Sequence, residues 1–494
     1  MRSIRKTIWA TLFIIWMIAP IAQAQQQGEP PAPAPADQAA APIPAYRSPL
    51  ASAADNGDDG GLIADPNRLI PDTTSLTGAQ TLSLGQLAGR HSFWQPHVDF
   101  TSTLSSNGLS STTNTGWTTW STIYGGIDLR RISGNSDLGL LYSGGASVSN
   151  DGSSNNGIIQ NLEFVEKLAY RRATISILDQ LSYLPENAFG SQFGNIGTPL
   201  GSGSIGLQPG LGLGPGQSIL TASGQRLSNA LVPEVDVRLT ARTSLTFVGD
   251  YSVLHFFDNN LLNSYNAGGQ VGYNYQLTRK DTVGVSYIFN AYRYSNFNQS
   301  INDNVVHISY GRRVTGRLAF QIAAGPEYTS FQTPITNTTV KGTMPSSSSS
   351  LYWSLTTSLT YQLKRTVLGL SYAHGVSGGS GVQAGAVTDT VSGFATRQLS
   401  RTFSGNWNLS YGRNNGLTVN APGSTTTANQ IFSYWSNNIG LNHSVGRTMN
   451  LSLNYLLQYQ NSNSAFCVGP KCGSCFVVHQ VLFSLGWHDH PIPF

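Results

Sequence analysis

Along the second half of the chain, apolar and polar residues alternate one by one. In 449–459, Met449, Leu451, Leu453, Tyr455, Leu457 and Tyr459 share one face, and Asn450, Ser452, Asn454 and Gln458 share the other. In 351–363, Leu351, Trp353, Leu355, Leu359, Tyr361 and Leu363 oppose Ser354, Thr356, Ser358, Thr360 and Gln362. In 403–411, Phe403, Trp407, Leu409 and Tyr411 oppose Ser404, Asn406, Asn408 and Ser410. In 271–277, Val271, Tyr273, Tyr275 and Leu277 oppose Gln270, Asn274 and Gln276. A period of two over about ten residues is a strand with one apolar and one polar face. A helix would scatter the same residues around its circumference.

The connections alternate between short and long. The short ones resemble one another: Leu239-Thr240-Ala241-Arg242-Thr243, Leu277-Thr278-Arg279-Lys280-Asp281, Gln398-Leu399-Ser400-Arg401-Thr402 and Ser444-Val445-Gly446-Arg447-Thr448. The long ones, 150–157, 185–231, 258–264, 331–349, 413–431 and 461–475, are rich in Ser, Asn, Gly, Pro and Thr. The pattern predicts about 18 strands, with 16 to 20 compatible. They cover 93–104, 117–130, 136–149, 158–170, 173–184, 232–241, 243–257, 265–278, 281–296, 302–312, 316–330, 350–364, 366–376, 387–399, 402–412, 432–446, 448–460 and 476–488. A propeller would repeat more evenly.

Composition narrows the class. Charged residues are 11% of the 494, against about 25% in a typical soluble protein. Aromatics at 10% exclude a disordered chain. A net charge of +4 argues against a nucleic-acid partner. Three cysteines are too few for a disulfide scaffold. Past residue 25 no apolar run approaches the ~18 residues of a membrane helix.

The first residues read as an export signal. Arg2, Arg5 and Lys6 precede an apolar stretch from Ile8 to Ala22, and Ala22-Gln23-Ala24 ends it with small residues. Three parts are expected: a signal peptide at 1–24, a Pro/Ala-rich, largely irregular periplasmic segment at 25–92, and a barrel at 93–494. The prolines at 30, 31, 33, 35, 42, 44 and 49 suit an extended spacer.

An open sheet of 18 strands would leave two unpaired edges. Closure removes them, and in lipid it is obligatory, because backbone groups there find no water. Even count, strand length and alternating connections resemble the Gram-negative outer-membrane β-barrel class, porins in particular, over residues 93–494. The resemblance implies an all-β, antiparallel up-and-down transmembrane barrel with short periplasmic turns and long extracellular loops. It implies an outer-membrane location, lipid and the assembly machinery as partners, and a homo-oligomer as one arrangement. Such chains usually end in an aromatic residue. Either Phe494 fills that role past the wall, or Trp487 ends the last strand, since Pro491 and Pro493 suit a strand poorly. Trp117, Trp120, Tyr292, Tyr294, Tyr352, Trp353, Tyr434, Trp435 and Trp487 are the expected interfacial girdles. Arg130, Arg131, Arg171, Arg172, Arg242, Arg279, Lys280, Arg312, Arg313, Lys364, Arg365, Arg401 and Arg447 sit in the tight turns.

The polar faces then line a lumen. The expected lining residues are Gln270, Asn274, Gln276, Ser354, Thr356, Ser358, Gln362, Asn406, Asn408, Asn438, Asn442, Asn450, Asn454 and Gln458. Strongly ion-selective pores use rings of charge. A hydroxyl- and amide-lined wall points instead to passive diffusion of small polar, uncharged solutes, with Asp250, Glu327 and Arg293 as charges for a constriction. The 185–231 segment is long enough to fold into the lumen or to remain outside. A plugged or partner-gated structural, adhesin or export barrel is the alternative. Cys467, Cys472 and Cys475 are expected to form one disulfide and leave one thiol, rather than bind metal. His488-Asp489-His490 reads as a polar terminal segment, and no cofactor is implied. Tyr372-Ala373-His374-Gly375-Val376-Ser377 only loosely resembles the site of barrel phospholipases. His374 and Ser377 are three apart, so a strand cannot put both on one face, and no enzyme is expected.

Overall fold

The structure, a computed structural model, describes residues 92–106, 117–149, 156–184, 225–257, 263–294, 299–333, 346–380, 383–417, 431–446, 448–462 and 475–494. The proposed signal, the spacer through residue 91, most of the 185–231 segment, Cys467 and Cys472 lie outside them. So does Arg447.

The strands are β1 Phe93–Ser106, β2 Trp117–Ser133, β3 Ser136–Ser149, β4 Gly157–Ala169, β5 Ala173–Leu184 and β6 Arg226–Arg238. Next come β7 Thr243–Phe256, β8 Ser264–Gln276, β9 Asp281–Tyr294, β10 Gln299–Arg313, β11 Leu318–Thr333 and β12 Ser346–Gln362. The last are β13 Thr366–Ser380, β14 Gln383–Gln398, β15 Phe403–Gly416, β16 Ile431–Val445, β17 Met449–Ser462, β18 Cys475–His488 and the two-residue β19 Ile492–Pro493. Each of β1 to β18 pairs antiparallel with its sequence neighbours. β1 also pairs with β18, from His97 opposite His488 to Ser105 opposite Gln480, and this closes the barrel. Past the wall, β19 bridges back to Phe93 and Trp94, leaving Phe494 exposed and Trp487 on β18.

The tight turns resemble one another because they share a local device. Thr240, Thr278, Thr315 and Ser400 each accept backbone N–H groups two or three residues on through their hydroxyls. That side-chain turn satisfies donors a tight reversal would leave unpaired.

The main boundary differences lie at the upper ends, away from the tight turns. β6 starts at Arg226 rather than 232, β12 at Ser346 rather than 350, and β14 at Gln383 rather than 387. The run Ser346–Ser350 has no alternation to read. A strand that rises clear of lipid has water available on both faces and needs none.

Large apolar side chains cover the outside. Val98, Phe100, Leu104, Ile123, Phe247, Val285, Leu370, Trp407, Ile439, Leu453 and Phe483 are exposed, and Ile308 and Leu351 are 70% and 73% exposed. Polar residues are buried on the opposite face. A soluble protein rarely exposes so continuous an apolar surface. Closed ladders and an apolar exterior are the build of an outer-membrane β-barrel.

Among the described residues, besides one skipped pair at Gly378 and Gly385 within the β13–β14 hairpin, the wall is interrupted in three places. The β6–β7 ladder skips the pairs around Pro233 and Gly249, and the β10–β11 ladder skips those around Gly325 and Pro326. Proline brings no N–H to a ladder. The third interruption is larger: β12 and β13 pair only from Gln362 opposite Val367 to Leu355 opposite His374, although both strands continue.

Candidate functional site: the inner wall and its hairpin

All fourteen expected lining residues fall on the inner face. Gln270, Asn274, Ser354, Thr356, Asn408, Asn438, Asn450 and Gln458 are buried there, and Gln276, Ser358, Gln362, Asn406, Asn442 and Asn454 are half-buried. Five of the nine girdle aromatics face inward instead: Tyr292, Tyr294 and Tyr434 are nearly fully buried, and Trp120 and Tyr352 share the inner positions of their strands. Each sits one alternation step away from an outward position, and alternation decides the face. Trp117, Trp353, Trp435 and Trp487 are exposed on the outside.

The inner face is not nearly uncharged. Register and alternation put Asp99, Asp128, Asp137, Glu163, Glu234, Asp236, Asp250, Asp303 and Glu327 on the inside of β1 to β11. Arg293 is outward and binds the Tyr292 and Ile301 carbonyls and Asn302. From β12 to β18 the inner positions hold no Asp, Glu, Lys or Arg, only hydroxyls, amides, small and apolar residues and His488. Apart from Asp250 and Glu327, these acids escaped the alternation because apolar residues accompany them. Val165, Leu178, Val232, Val248, Ile288 and Val305 form a buried belt along the inside of β4 to β10, so polarity there does not distinguish in from out.

The inner acids fall into two groups. The first, on β1 to β6, has bases beside it. Arg130 forks onto Asp137 at 2.9 and 2.7 Å, His97 lies 3.5 Å from Asp128, and Lys167 lies within electrostatic reach of Asp137 and Asp236. The second group, on β7 to β11, has no Lys or Arg beside it among the described residues, though His307 lies buried on the same inner face of β10. Asp250 accepts from Asn266, Asp303 accepts from Thr329 at 2.8 Å and from Asn290, and Glu327 lies against Asp303. None of these three carboxyls makes an ion pair with Lys or Arg among the described residues.

A hairpin from the other wall lies over this second group. Beyond His374, β13 leaves β12 and turns inward, still paired with β14. The Val376 N–H donates to Glu327 Oε1 at 2.8 Å, and the Gly378 carbonyl accepts from the Tyr294 hydroxyl. Val376 packs with Tyr292, Tyr294, Ile301, Phe331 and Leu417. Gly378 is required there: a Cβ would come within 2.5 Å of the Tyr292 ring. Gly385 adopts φ +77°, and a Cβ would meet Ile301 at 2.2 Å.

His374 and Ser377 lie on opposite faces of β13. His374 points outward, stacked on Trp353 and bonded to Asp389 at 2.7 Å, whereas Ser377 is buried inside beside Thr388. His488 is engaged by Gln95. Among the described residues no group of three or more His, Cys, Asp or Glu is placed to hold a metal ion.

No family model and no curated protein matches the chain. Solved structures that resemble it include three proteins of Pseudomonas aeruginosa. OccK2 (OpdF) aligns at 9% identity and TM-score 0.38 over 80% of this chain and 98% of its own. OpdQ aligns at 10% and 0.39 over 81% and 98%. The outer membrane protein OpdK aligns at 10% and 0.39 over 80% and 99%. At this identity and overlap, no residue role, solute or partner carries over from them.

Proposed function

We propose that the chain is an outer-membrane channel through which small polar solutes diffuse passively. One observation carries this reading: a closed ring of strands with an apolar outside and a hydrogen-bonding inside. That arrangement has no use in water and suits a polar passage through lipid. An unrestricted uncharged passage fits only the β12–β18 arc. The β1–β11 arc adds carboxylates, so the channel discriminates by charge as well as by hydrogen bonding. The inward hairpin is the closing element.

The test is planar-bilayer conductance of the folded protein, followed by neutral oligosaccharide. Steady conductance with sugar-dependent blocking supports the reading. A second reading, a barrel with a plugged or partner-gated lumen, is favoured by the burial of the inner wall, where Thr246, Thr329, Thr356 and Ser377 have no exposed surface. A folded barrel without conductance would transfer the weight to it.

A further inference from the structure

Asp250, Asn266, Asn290, Asp303 and Glu327 lie side by side across β7 to β11, just above the apolar belt. Register places Asp250 opposite Gly268, Gly268 opposite Asn290, and Asn290 opposite Asp303. All five are at least nine-tenths buried. Asn266 Oδ1, Asn290 Oδ1, Glu327 Oε2 and the Tyr292 hydroxyl have no hydrogen-bond partner. The Tyr292 hydroxyl also lies within electrostatic reach of Asp250, Asp303 and Glu327 together, so it points into the cluster. Two of the ladder interruptions, at Gly249 and Pro326, adjoin Asp250 and Glu327 directly.

Buried acceptors without donors are costly. Carboxyl groups held this close, with no arginine or lysine, repel unless a cation or a proton comes between them. The first acid group on β1 to β6 has Arg130 and Lys167 for this; the second has neither, and there Asp303 and Glu327 share a side-chain hydrogen bond that an incoming ammonium replaces. The carboxyls do not converge as a metal site requires, so the row suits a wider cation that donates several hydrogen bonds. We propose that this row is a subsite for the ammonium group of a permeating solute. This rests on the channel reading above. The hairpin already places one N–H donor there, that of Val376 on Glu327 Oε1. An incoming ammonium competes for that oxygen and loosens the hairpin as it binds.

The test uses the folded full chain in liposomes and planar bilayers. Three solutes of equal chain length serve as probes: 1,4-diaminobutane, 1,4-butanediol and succinate. The expected result is permeation in that order, with diaminobutane about tenfold faster than succinate. In Asp303→Asn/Glu327→Gln the order collapses toward parity while butanediol still passes. Should that double variant not fold, Asp250→Asn alone narrows the ratio. Equal passage of all three solutes, or an unchanged order in the variants, overturns the subsite and leaves the channel reading intact. A barrel that is folded by heat-modifiable gel mobility but passes none of the three overturns both.

Discussion

The arc from β1 to β11 and the arc from β12 to β18 share an exterior and differ inside. Both present Phe, Leu, Val, Trp and Tyr outward. Inside, the first arc holds every inner acid and the apolar belt, and the second holds hydroxyls and amides without one Asp, Glu, Lys or Arg. A lumen that merely had to stay wet would not need this division, since Ser, Thr, Asn and Gln suffice on the second arc. The charged arc is therefore specialised. The hairpin originates on the uncharged arc and closes onto the charged one, at Glu327 and Tyr292. On the proposed channel reading, the place where the two arcs touch is where selectivity is expected to be set.

The largest expected effect comes from removing a charge partner on the first arc. Arg130 is buried and grips Asp137 with two nitrogens. Breaking a buried pair strands a charge. Asp137 keeps a third of its surface exposed, so water recovers part of the loss. Arg130→Ala is expected to cost about 3 kcal/mol. Gln458→Ala, a buried amide on the second arc, is expected to cost about 1 kcal/mol. Urea unfolding in detergent micelles, followed by tryptophan fluorescence, reads both. Equal losses would mean that the two arcs are held together alike, and the distinction would fail.

Glycines sharpen the same contrast. Gly325 on β11 faces the Val306 carbonyl, and a Cβ there would lie 1.8 Å from that backbone oxygen. The β10–β11 ladder is open here, but each strand is held by its other neighbour, Gly325 opposite Ser354 and Val306 opposite Tyr287, so Gly325→Ala is expected to cost about 2 to 3 kcal/mol. Gly440 on β16 is also tight, but its neighbours at 2.2 and 2.4 Å are the Asn454 and Asn406 side-chain oxygens. Those swing away, and Gly440→Ala is expected to cost less than about 1 kcal/mol in the same unfolding assay. A larger loss for Gly440→Ala would show the amide arc to be the more rigid one.

The hairpin offers a functional comparison. Gly378→Val forces the hairpin off the Tyr292 ring, and the expected result is a several-fold rise in open-channel time in bilayer recordings. Unchanged gating would remove the hairpin as the closing element.

The two arcs were also unequally legible in the sequence. The fold was readable wherever lipid outside and polar groups inside enforce a strict period of two, as in Met449–Tyr459. Polarity failed on β10. There Ile301 and Val305 point inward beside Asp303, while Ser300, Asn302 and Asn304 point outward. The upper end of that strand inverts the rule, so the Asp303 position emerges only from register. Asp250 and Glu327 were recognisable as charges, but their neighbourhood depends on strands up to about 80 residues apart. The hairpin contact is of the same kind. Gly378 and Tyr292 meet because β13 leaves β12, and no local periodicity records where a ladder stops.

The smallest expected effect is also the most direct comparison of the arcs: placing a carboxylate on the uncharged one. Asn454 on β17 is half-buried on the inner face, with no inner Asp or Glu on β16 or β18. Asn454→Asp adds a charge that water still reaches. At 0.15 M salt its field decays over about 8 Å, and at 0.01 M over about 30 Å. The cation-to-anion permeability ratio is expected to rise less than about twofold at the higher salt, and more at the lower. Asp250→Asn, on the charged arc, is expected to lower the same ratio by more, because its carboxyl is covered and salt screens it poorly. Reversal potentials across a salt gradient measure both. If the added carboxylate shifts the ratio as far as the removed one, position on the wall does not matter, and the selective role of the β7–β11 row is lost.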